Sequence, residues 1–195
     1  MIVQLPRDDA ATRRRRLLDA ADEVFSEHGV NAPLELVVER AGLGRAALYR
    51  HFPDRTALMT GLLDRAIDAF ECAARELGER PDGLGVLLHD AAEHIAYTAP
   101  LVDYWRMIER DDPVIEAFDA RALAVFMPFV RRAVDAGLCR ADVDEEQMLL
   151  VMDMLGSCLR GNDALERRRL AHRSADLLMQ ALGMRPFGGA EARAS

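Results

Sequence analysis

The chain has 195 residues, of which 50% are hydrophobic and 30% charged, and its net charge is −8. This balance is typical of a folded globular protein with one or two domains and excludes a mostly disordered chain. No stretch approaches the roughly 20 uncharged apolar residues of a membrane-spanning helix. The segment before the arginines at 13–16 is too short for a signal peptide, so we expect a cytoplasmic protein.

The negative charge is unevenly distributed along the chain. Residues 1–60 contain 9 arginines and 9 acidic residues, which leaves 16 arginines and 24 acidic residues in 61–195. The excess of acid therefore lies outside the amino-terminal segment. Nucleic-acid binding by that segment remains compatible with the charge.

The three cysteines do not predict a metal site or a disulfide framework. Cys72, Cys139 and Cys158 are far apart and form no Cys-x-x-Cys or Cys/His pair. We interpret all three as buried small hydrophobic residues and expect no metal and no cofactor.

Hydrophobic spacing, together with the residues that start and stop helices, predicts nine helices. Their ranges are 8–28, 33–41, 44–52, 54–77, 84–97, 100–110, 113–136, 145–160 and 163–182. Capping side chains are expected at Asp54, at Asp142 or Asp144, and at Asn162 or Asp163. Pro128 lies inside the seventh helix and should kink it. No segment alternates like a strand, so the predicted fold class is all-α.

Residues 42–58 combine a tight turn, a very short helix and a proline stop. Gly42 can adopt the positive φ of a sharp turn, and Pro53 ends the helix that follows. Seven or eight residues do not hold a helix alone, so this helix must pack on its neighbours. Its outward face is predicted to carry Arg45, Ala46, Ala47, Tyr49, Arg50 and His51. Donors, rings and small residues in this setting are typical of the DNA-reading helix of a helix-turn-helix.

From residue 13 to about 63 the chain resembles the TetR/AcrR family of transcriptional regulators. The residues that carry the resemblance are Leu17, Leu18, Val24, Phe25 and Gly29, then 37–44 at the turn, then Leu48, Tyr49, His51, Phe52 and Leu58. The resemblance implies a TetR-like all-helical regulator, with a DNA-binding head at 1–54 and a ligand-binding and dimerisation domain at 55–184. Its partners would be double-stranded operator DNA and a small-molecule inducer. The tail at 185–195 is rich in Gly and Ala and is predicted to be disordered.

Several positions depart from the family pattern. Ala32-Pro33 stands where the family often has two threonines, Gly44 replaces a serine, and Ala46-Ala47 replaces Gly-Thr. These changes affect which operator is read and leave the DNA-binding class unchanged. The family's frequent lysine at the start of the fourth helix is Arg55, which would keep a phosphate contact.

We assign base reading to Arg45 and Ala47. The residues expected to hold the DNA backbone are Tyr49, His51, Arg55 and the arginines at 13–16, including Arg13 and Arg14. Arg50 is expected to face solvent or a nearby acid. Packing between helices is the alternative for Tyr49 and His51, and a solvated helix end is the alternative for the arginine run.

The last two helices are expected to form the dimer interface, partly because of the resemblance. The eighth is apolar on nearly every side, as expected for a helix buried by its own core and by a partner. The residues predicted at the interface are Met154, Gly156, Ser157, Leu170, Ala175, Leu178 and Met179.

Aromatic and methionine residues between the fourth and eighth helices predict an adaptable apolar pocket, although ordinary core packing explains each one singly. They are Phe70, His94, Tyr97, Tyr104, Trp105, Phe126, Phe129, Met148 and Met152. Asp153 is the acid in an otherwise apolar helix, so it needs an ion-pair partner, a solvated position or a cationic ligand. The inducer is therefore expected to be apolar or aromatic.

Two other functions compete with a DNA-binding regulator. A helical-bundle metalloenzyme has its only seed in His89-Asp90-Ala-Ala-Glu93-His94, whereas a di-iron bundle needs Glu-x-x-His on two helices. A regulator-like protein that acts through protein partners is favoured slightly by Ala46-Ala47 and the neutral head. We expect no enzymatic activity.

Overall fold

The computed structural model describes residues 9–109, 111–156 and 163–185. Within these ranges the chain forms nine helices and no strand, which confirms the all-α prediction. The helices are α1 Ala10–His28, α2 Leu34–Ala41, α3 Arg45–His51, α4 Arg55–Leu77, α5 Gly83–Tyr97, α6 Ala99–Trp105, α7 Pro113–Asp135, α8 Glu145–Gly156 and α9 Ala164–Ala181.

The sixth helix is shorter than predicted, since it ends at Trp105 and not near 110. After Trp105 the backbone tightens: the amides of Met107 and Ile108 donate to the carbonyls of Tyr104 and Trp105, three residues back, at 3.1 Å each. The predicted extension of the eighth helix to 160, and the tail beyond 185, lie outside the described residues.

Aspartate side chains begin several of the helices. Asp54 accepts a hydrogen bond from the Ala57 amide at 2.7 Å, as predicted. Of the alternatives left open by the sequence, Asp144 caps α8 through the Gln147 amide, and Asp163 caps α9 through the Glu166 amide, both at 2.8 Å. Asp9 and Asp112 cap α1 and α7 in the same way.

The chain divides into two compact units, 1–64 and 65–195, and α4 runs through the boundary. In the first unit, α1 packs on α2, and both contact α3. The core of this unit is formed by Leu17, Leu18, Ala21, Val24, Phe25, Val37, Leu48, Phe52, Leu58 and Met59. Because α3 has only seven residues, it depends on this core for its helical form.

Two arginines fasten the turns of the first unit through backbone carbonyls. Arg16 donates from Nη2 to the Ala41 carbonyl at 2.7 Å, at the end of α2. Arg55 donates to the carbonyls of Val30 and Ala32, in the connection from α1 to α2, the latter at 2.6 Å. These carbonyls have no partner within a helix, so the guanidinium groups satisfy them.

Gly61 leaves a gap on the surface of α4, which we call the notch, where this helix faces the rest of the first unit. A Cβ at this position would lie 2.7 Å from Phe52 Cε1 and 3.2 Å from Leu18 Cδ2. Glycine therefore leaves the space that the Phe52 ring, 3% exposed, occupies beside α4.

In the second unit, α5 is central: it makes its most extensive contact with α9 and also packs on α6, α7 and α8. The buried core includes Leu84, Leu87, Leu88, Phe126, Phe129, Met148, Leu155, Ala175 and Met179. On the surface of this unit, Arg121 of α7 donates to Asp68 and Glu71 of α4 at 2.6 and 2.8 Å. Hydrogen bonds to these two carboxylates raise the pKa of Arg121.

None of the described helices is long and apolar enough to cross a membrane.

We expect Arg55→Ala to lower the free energy of unfolding by about 1–3 kcal/mol, because the Val30 and Ala32 carbonyls lose their donors. The guanidinium also leaves its position 5.7 Å from the centre of the Phe25 ring. Urea unfolding followed by circular dichroism measures the change.

Arg15→Ala is the matched control, because Arg15 is exposed on α1. Its effect should stay within about 0.5 kcal/mol. Equal losses in the two variants would show that the Arg55 hydrogen bonds contribute no net stability.

Candidate nucleic-acid interface

The turn between α2 and α3 is closed by a left-handed glycine. Gly42 has φ 62° and ψ 36°, a conformation that costs glycine no steric strain. Its amide donates to the Glu39 carbonyl, and the Leu43 amide donates to the Val38 carbonyl at 3.1 Å. This pair of bonds is the Schellman arrangement, which ends α2 and turns the chain into α3.

The short α3 buries one side and presents the other. Ala47 and Leu48 are buried, at 8% and 1% exposure, whereas Arg45, Ala46, Tyr49 and Arg50 are exposed. The prediction that Ala47 belongs to the outward, base-reading face is therefore wrong. Ala47 lies beside Leu48 on the inner side, since helical spacing allows only part of a seven-residue segment to face outward.

The exposed basic residues of α3 differ in how they are held. The Arg45 side chain is 70% exposed and forms a 3.3 Å ion pair with Glu35 of α2. Exposed pairs of this kind contribute little, so Arg45 can exchange Glu35 for another acceptor at small cost. Arg50 turns back along its own helix and donates from Nε to the Ala46 carbonyl at 3.0 Å.

Arg55 does not lie where the sequence placed it. It was expected to contact phosphate, but its guanidinium donates to the Val30 and Ala32 carbonyls. Arg16 of the expected arginine cluster is likewise engaged with the Ala41 carbonyl. Charge and position in the sequence did not reveal these contacts, because the accepting carbonyls come from turns more than 20 residues away.

Arg14 is the member of the arginine run best placed beside α3. Its guanidinium lies 5.3 Å from the centre of the Phe52 ring, and Arg14 itself is exposed, while Arg13 is half-buried. It lines an open groove of about 390 Å³ together with His51, Phe52, Asp54, Thr56, Ala57, Thr60, Gly61 and Asp64. Thr56 and Thr60, which also line this groove, were not predicted as site residues, because an uncharged side chain at the start of α4 carries no clear signal of DNA contact.

The residues predicted at a dimer interface lie mostly inside their own chain. Ala175, Leu178 and Met179 are at most 7% exposed and belong to the core of the second unit. Gly156 is also buried, and a Cβ there would lie 3.2 Å from Val102 of α6. These four assignments are corrected, Leu170 is half-buried, and Ser157 lies outside the described residues.

Other apolar side chains of α8 and α9 are exposed instead. They are Leu150 at 54%, Met154 at 48%, Leu165 at 74% and Leu177 at 61%. Of these, only Met154 was predicted at the interface. Apolar periodicity marks both faces of such a helix alike, so the sequence could not tell which face the chain itself covers.

Most of the predicted pocket residues are buried or half-buried, and some of their rings lie against one another. Phe70 lies edge-on to Phe126 and to His94, with ring centres 6.0 and 5.7 Å apart. Burial, and then the nearby charge of Arg65, lower the pKa of His94. Phe129 and Met148 are buried, Met152 is half-buried, and Tyr104 meets Trp105 edge to face at 5.2 Å.

Two predicted pocket residues are at the surface. Tyr97 is 55% exposed, and Asp153 is exposed on α8. The exposure of Asp153 corrects its assignment to an apolar pocket.

The candidate metal seed on α5 is split between two faces. His89 and Glu93 contact α9, whereas His94 contacts Phe70. In the described ranges no group of three or more His, Cys, Asp or Glu side chains is placed to hold a metal ion. Cys139 is buried as predicted, whereas Cys72 is exposed, so its predicted burial is wrong, and Cys158 lies outside the described residues.

The head matches known proteins in sequence. A family model described as bacterial regulatory proteins of the tetR family matches residues 17–62. The HTH-type transcriptional activator FasR of Mycolicibacterium smegmatis is 36% identical over 74 residues, which are 37% of this chain and 32% of that protein. The chain thus spans about a third of the length of this relative.

The fold matches over most of the chain. A TetR transcriptional regulator of Streptomyces coelicolor is 25% identical, with a TM-score of 0.64 over 90% of this chain and 99% of that one. A TetR regulatory protein of Mycobacterium vanbaalenii is 26% identical, with a TM-score of 0.64 over 90% and 98%. With the helix-turn-helix at residues 34–51, these matches show that the head is similar to the tetR family of bacterial regulatory proteins, and that the fold of the described residues is similar to that of TetR regulators.

Proposed function

We propose that the protein is a ligand-responsive transcriptional repressor that binds a pseudopalindromic operator as a dimer. The observation that carries the proposal is the geometry of α3. A tight turn holds this helix on the core by Leu48 and leaves Arg45, Ala46 and Tyr49 exposed. An α-helix presented in this way fits the major groove of B-DNA.

Base reading is assigned to the start of α3. Arg45 can donate two hydrogen bonds to guanine, and the Ala46 methyl group can contact a thymine methyl. Tyr49 and His51 at the end of α3, together with Arg14, would contact the DNA backbone and fix the position of the helix. Arg55 stabilises the unit that presents this surface, because it donates hydrogen bonds to carbonyls in the connection from α1 to α2.

A dimer supplies the second head that such a small contact needs. The exposed apolar residues of α8 and α9 support a symmetric interface through these helices. Glu146 and Asp153 are exposed on α8, while Arg169 and Arg173 are exposed on α9. If α8 of one subunit meets α9 of the other, acidic side chains face basic ones around an apolar centre.

The inducer is assigned to the aromatic residues of the second unit. The Nε1 atom of Trp105 is buried and finds no acceptor among the described residues. Burying an unpaired donor is costly, so an aromatic ligand that carries a hydrogen-bond acceptor would satisfy it. Because α4 is continuous from Arg55 to Leu77, a displacement in the second unit can reach the head, with a coupling of about 1–3 kcal/mol.

Regulation through a protein partner without DNA binding is the alternative. It is supported by the neutral charge of residues 1–60 and by the alanines at 46 and 47. Salt-dependent binding to duplex DNA distinguishes the two functions, because contacts to phosphate weaken as salt rises.

We expect Arg45→Ala to reduce discrimination at one operator base pair by about 1–3 kcal/mol while other positions stay selective. An operator selected from random DNA, and its single-base variants, would be titrated in gel-shift assays.

Arg14→Ala provides the comparison in the same assays. It should weaken binding to all DNA sequences about equally. It should also reduce, by about 1, the slope of the logarithm of the binding constant against the logarithm of the salt concentration. The reverse pattern, or wild-type protein that ignores every duplex at low salt, would refute the assignment.

We expect Leu177→Asp to raise the dimer dissociation constant by at least about tenfold, because a symmetric interface buries the charge twice. Leu177 is 61% exposed in the single chain, so the subunit itself should stay folded. Sedimentation equilibrium measures the change. Met107→Asp is the control, because the Met107 side chain after α6 is 77% exposed. Equal dimer dissociation constants for the two variants would show that the exposed face of α9 is not the dimer interface.

We expect ligands to change the emission of Trp105, which is the only tryptophan in the chain. Trp105→Phe removes the indole donor and should weaken the binding of an aromatic ketone by about 2- to 10-fold, which corresponds to the loss of one neutral hydrogen bond. Calorimetry measures this affinity. The corresponding hydrocarbon, which has no acceptor, should bind both proteins alike. If the substitution changed the affinities of the two compounds equally, the indole N–H would take no part in ligand recognition.

A further inference from the structure

A network of charged and polar side chains joins α5 to α9, and the regulator function does not account for it. His89 and Glu93 are four residues apart on α5, and Arg168, His172 and Asp176 follow at the same spacing on α9. Side chains four residues apart share one face of a helix, so the two rows face each other. We call these five residues the α5–α9 network.

Hydrogen bonds run through the network in one line. Asp176 Oδ1 lies 3.0 Å from His89 Nε2, and His89 Nδ1 lies 3.1 Å from His172 Nδ1. His172 Nε2 lies 2.5 Å from Glu93 Oε2, and Arg168 Nε donates to the Glu93 carboxylate at 2.8 Å. Each histidine therefore has a carboxylate at one nitrogen and the other histidine at its second nitrogen.

The two imidazoles meet edge to edge. Their centres are 5.4 Å apart and their planes differ by 27°, while the two Nδ1 atoms are only 3.1 Å apart. The nitrogens thus lie between the ring centres and face one another. This distance is that of a hydrogen bond, which requires a proton on one of the two nitrogens.

Counting protons identifies the state that this geometry fits. An ionised carboxylate only accepts hydrogen bonds, so each Nε2 must carry a proton toward Asp176 or Glu93. Two neutral rings would then place two Nδ1 lone pairs against each other, and two cationic rings would place two N–H groups against each other. Only a pair with one extra proton makes all three hydrogen bonds.

The charges of the network agree with this count. Asp176 and Glu93 contribute −2, Arg168 contributes +1, and a singly protonated histidine pair contributes +1, so the sum is zero. Although burial alone would raise it, hydrogen bonds from Arg168 and His172 lower the pKa of Glu93, which keeps that carboxylate ionised. The His89 and His172 side chains are only 21% and 34% exposed, so neutrality reduces the cost of placing them between helices.

We propose that His89 and His172 share one proton and that this proton clamps α9 onto α5, making the packing of the second unit sensitive to pH. Asp176, Glu93 and, through Glu93, Arg168 are charged groups that face the pair. The clamp is independent of DNA binding and can be tested without an operator.

The sign of the effect follows from proton linkage. An ordinary histidine of the unfolded chain titrates near pH ~6.5. Well above this pH a folded pair that keeps its shared proton holds one proton and the unfolded histidines hold almost none, so stability falls as pH rises. Well below it the unfolded histidines hold almost two protons, while a folded pair that keeps a single shared proton holds one, so stability falls as pH falls. The network should therefore stabilise the fold most near neutral pH.

The direct test counts imidazole protons in the full-length protein. The chain has five histidines, so their side-chain nitrogens can be resolved by ¹⁵N NMR after selective labelling. At pH 7.5 we expect three N–H protons on the His89 and His172 rings together. The exposed His28 is the internal reference. Two N–H protons on the pair at this pH would overturn the proposal.

The second test compares urea unfolding of the wild type and His89→Asn between pH 5 and 9. The measured quantity is the folded-to-unfolded ratio of the wild type divided by that of His89→Asn. This quantity should be largest near pH ~6.5, decrease by up to about tenfold per pH unit as the pH rises above that value, and decrease again as the pH is lowered below it. His28→Asn should leave the pH profile unchanged. A ratio between wild type and His89→Asn that does not vary with pH would overturn the proposal, and the NMR count decides it if His89→Asn does not fold.

Discussion

The presentation of α3 depends on one constraint: a seven-residue helix cannot sustain itself in water. Its form comes from burial of Ala47 and Leu48 and from the left-handed turn at Gly42. The connection from α1 to α2 is in turn fixed by the guanidinium of Arg55. Arginines that were expected to hold DNA thus hold the protein that presents α3, and the DNA surface that remains is smaller than the charge pattern indicated.

Much of the fold could be predicted because local signals agreed. The capping aspartates, the stop at Gly29 and the turn at Gly42 each fix a helix end through one side chain or one backbone conformation, and the structure has them where the sequence placed them. The end of α6 could not be predicted, because no glycine or proline marks it and the chain tightens gradually after Trp105.

The candidate site was less predictable, since its residues are defined by contacts between distant segments. Ala47 and Ala46 are chemically identical neighbours, and only the packing of α3 decides which one is buried. On α9 the apolar residues Leu177 and Leu178 are adjacent, yet one is exposed and the other belongs to the core. The carbonyl partners of Arg16 and Arg55 leave no signal in a sequence. Side-chain roles that depend on packing between distant segments were therefore the ones most often misplaced.

The notch at Gly61 restricts how the first unit can deform. The Phe52 ring follows directly after α3 and occupies the space that a side chain on α4 would fill. Rotation of the amino-terminal half of α4 about its axis would drive a neighbouring side chain into this ring. We therefore expect the end of α3 to move together with this part of α4, so that a torque applied to that helix changes the direction in which the arginine at position 45 points.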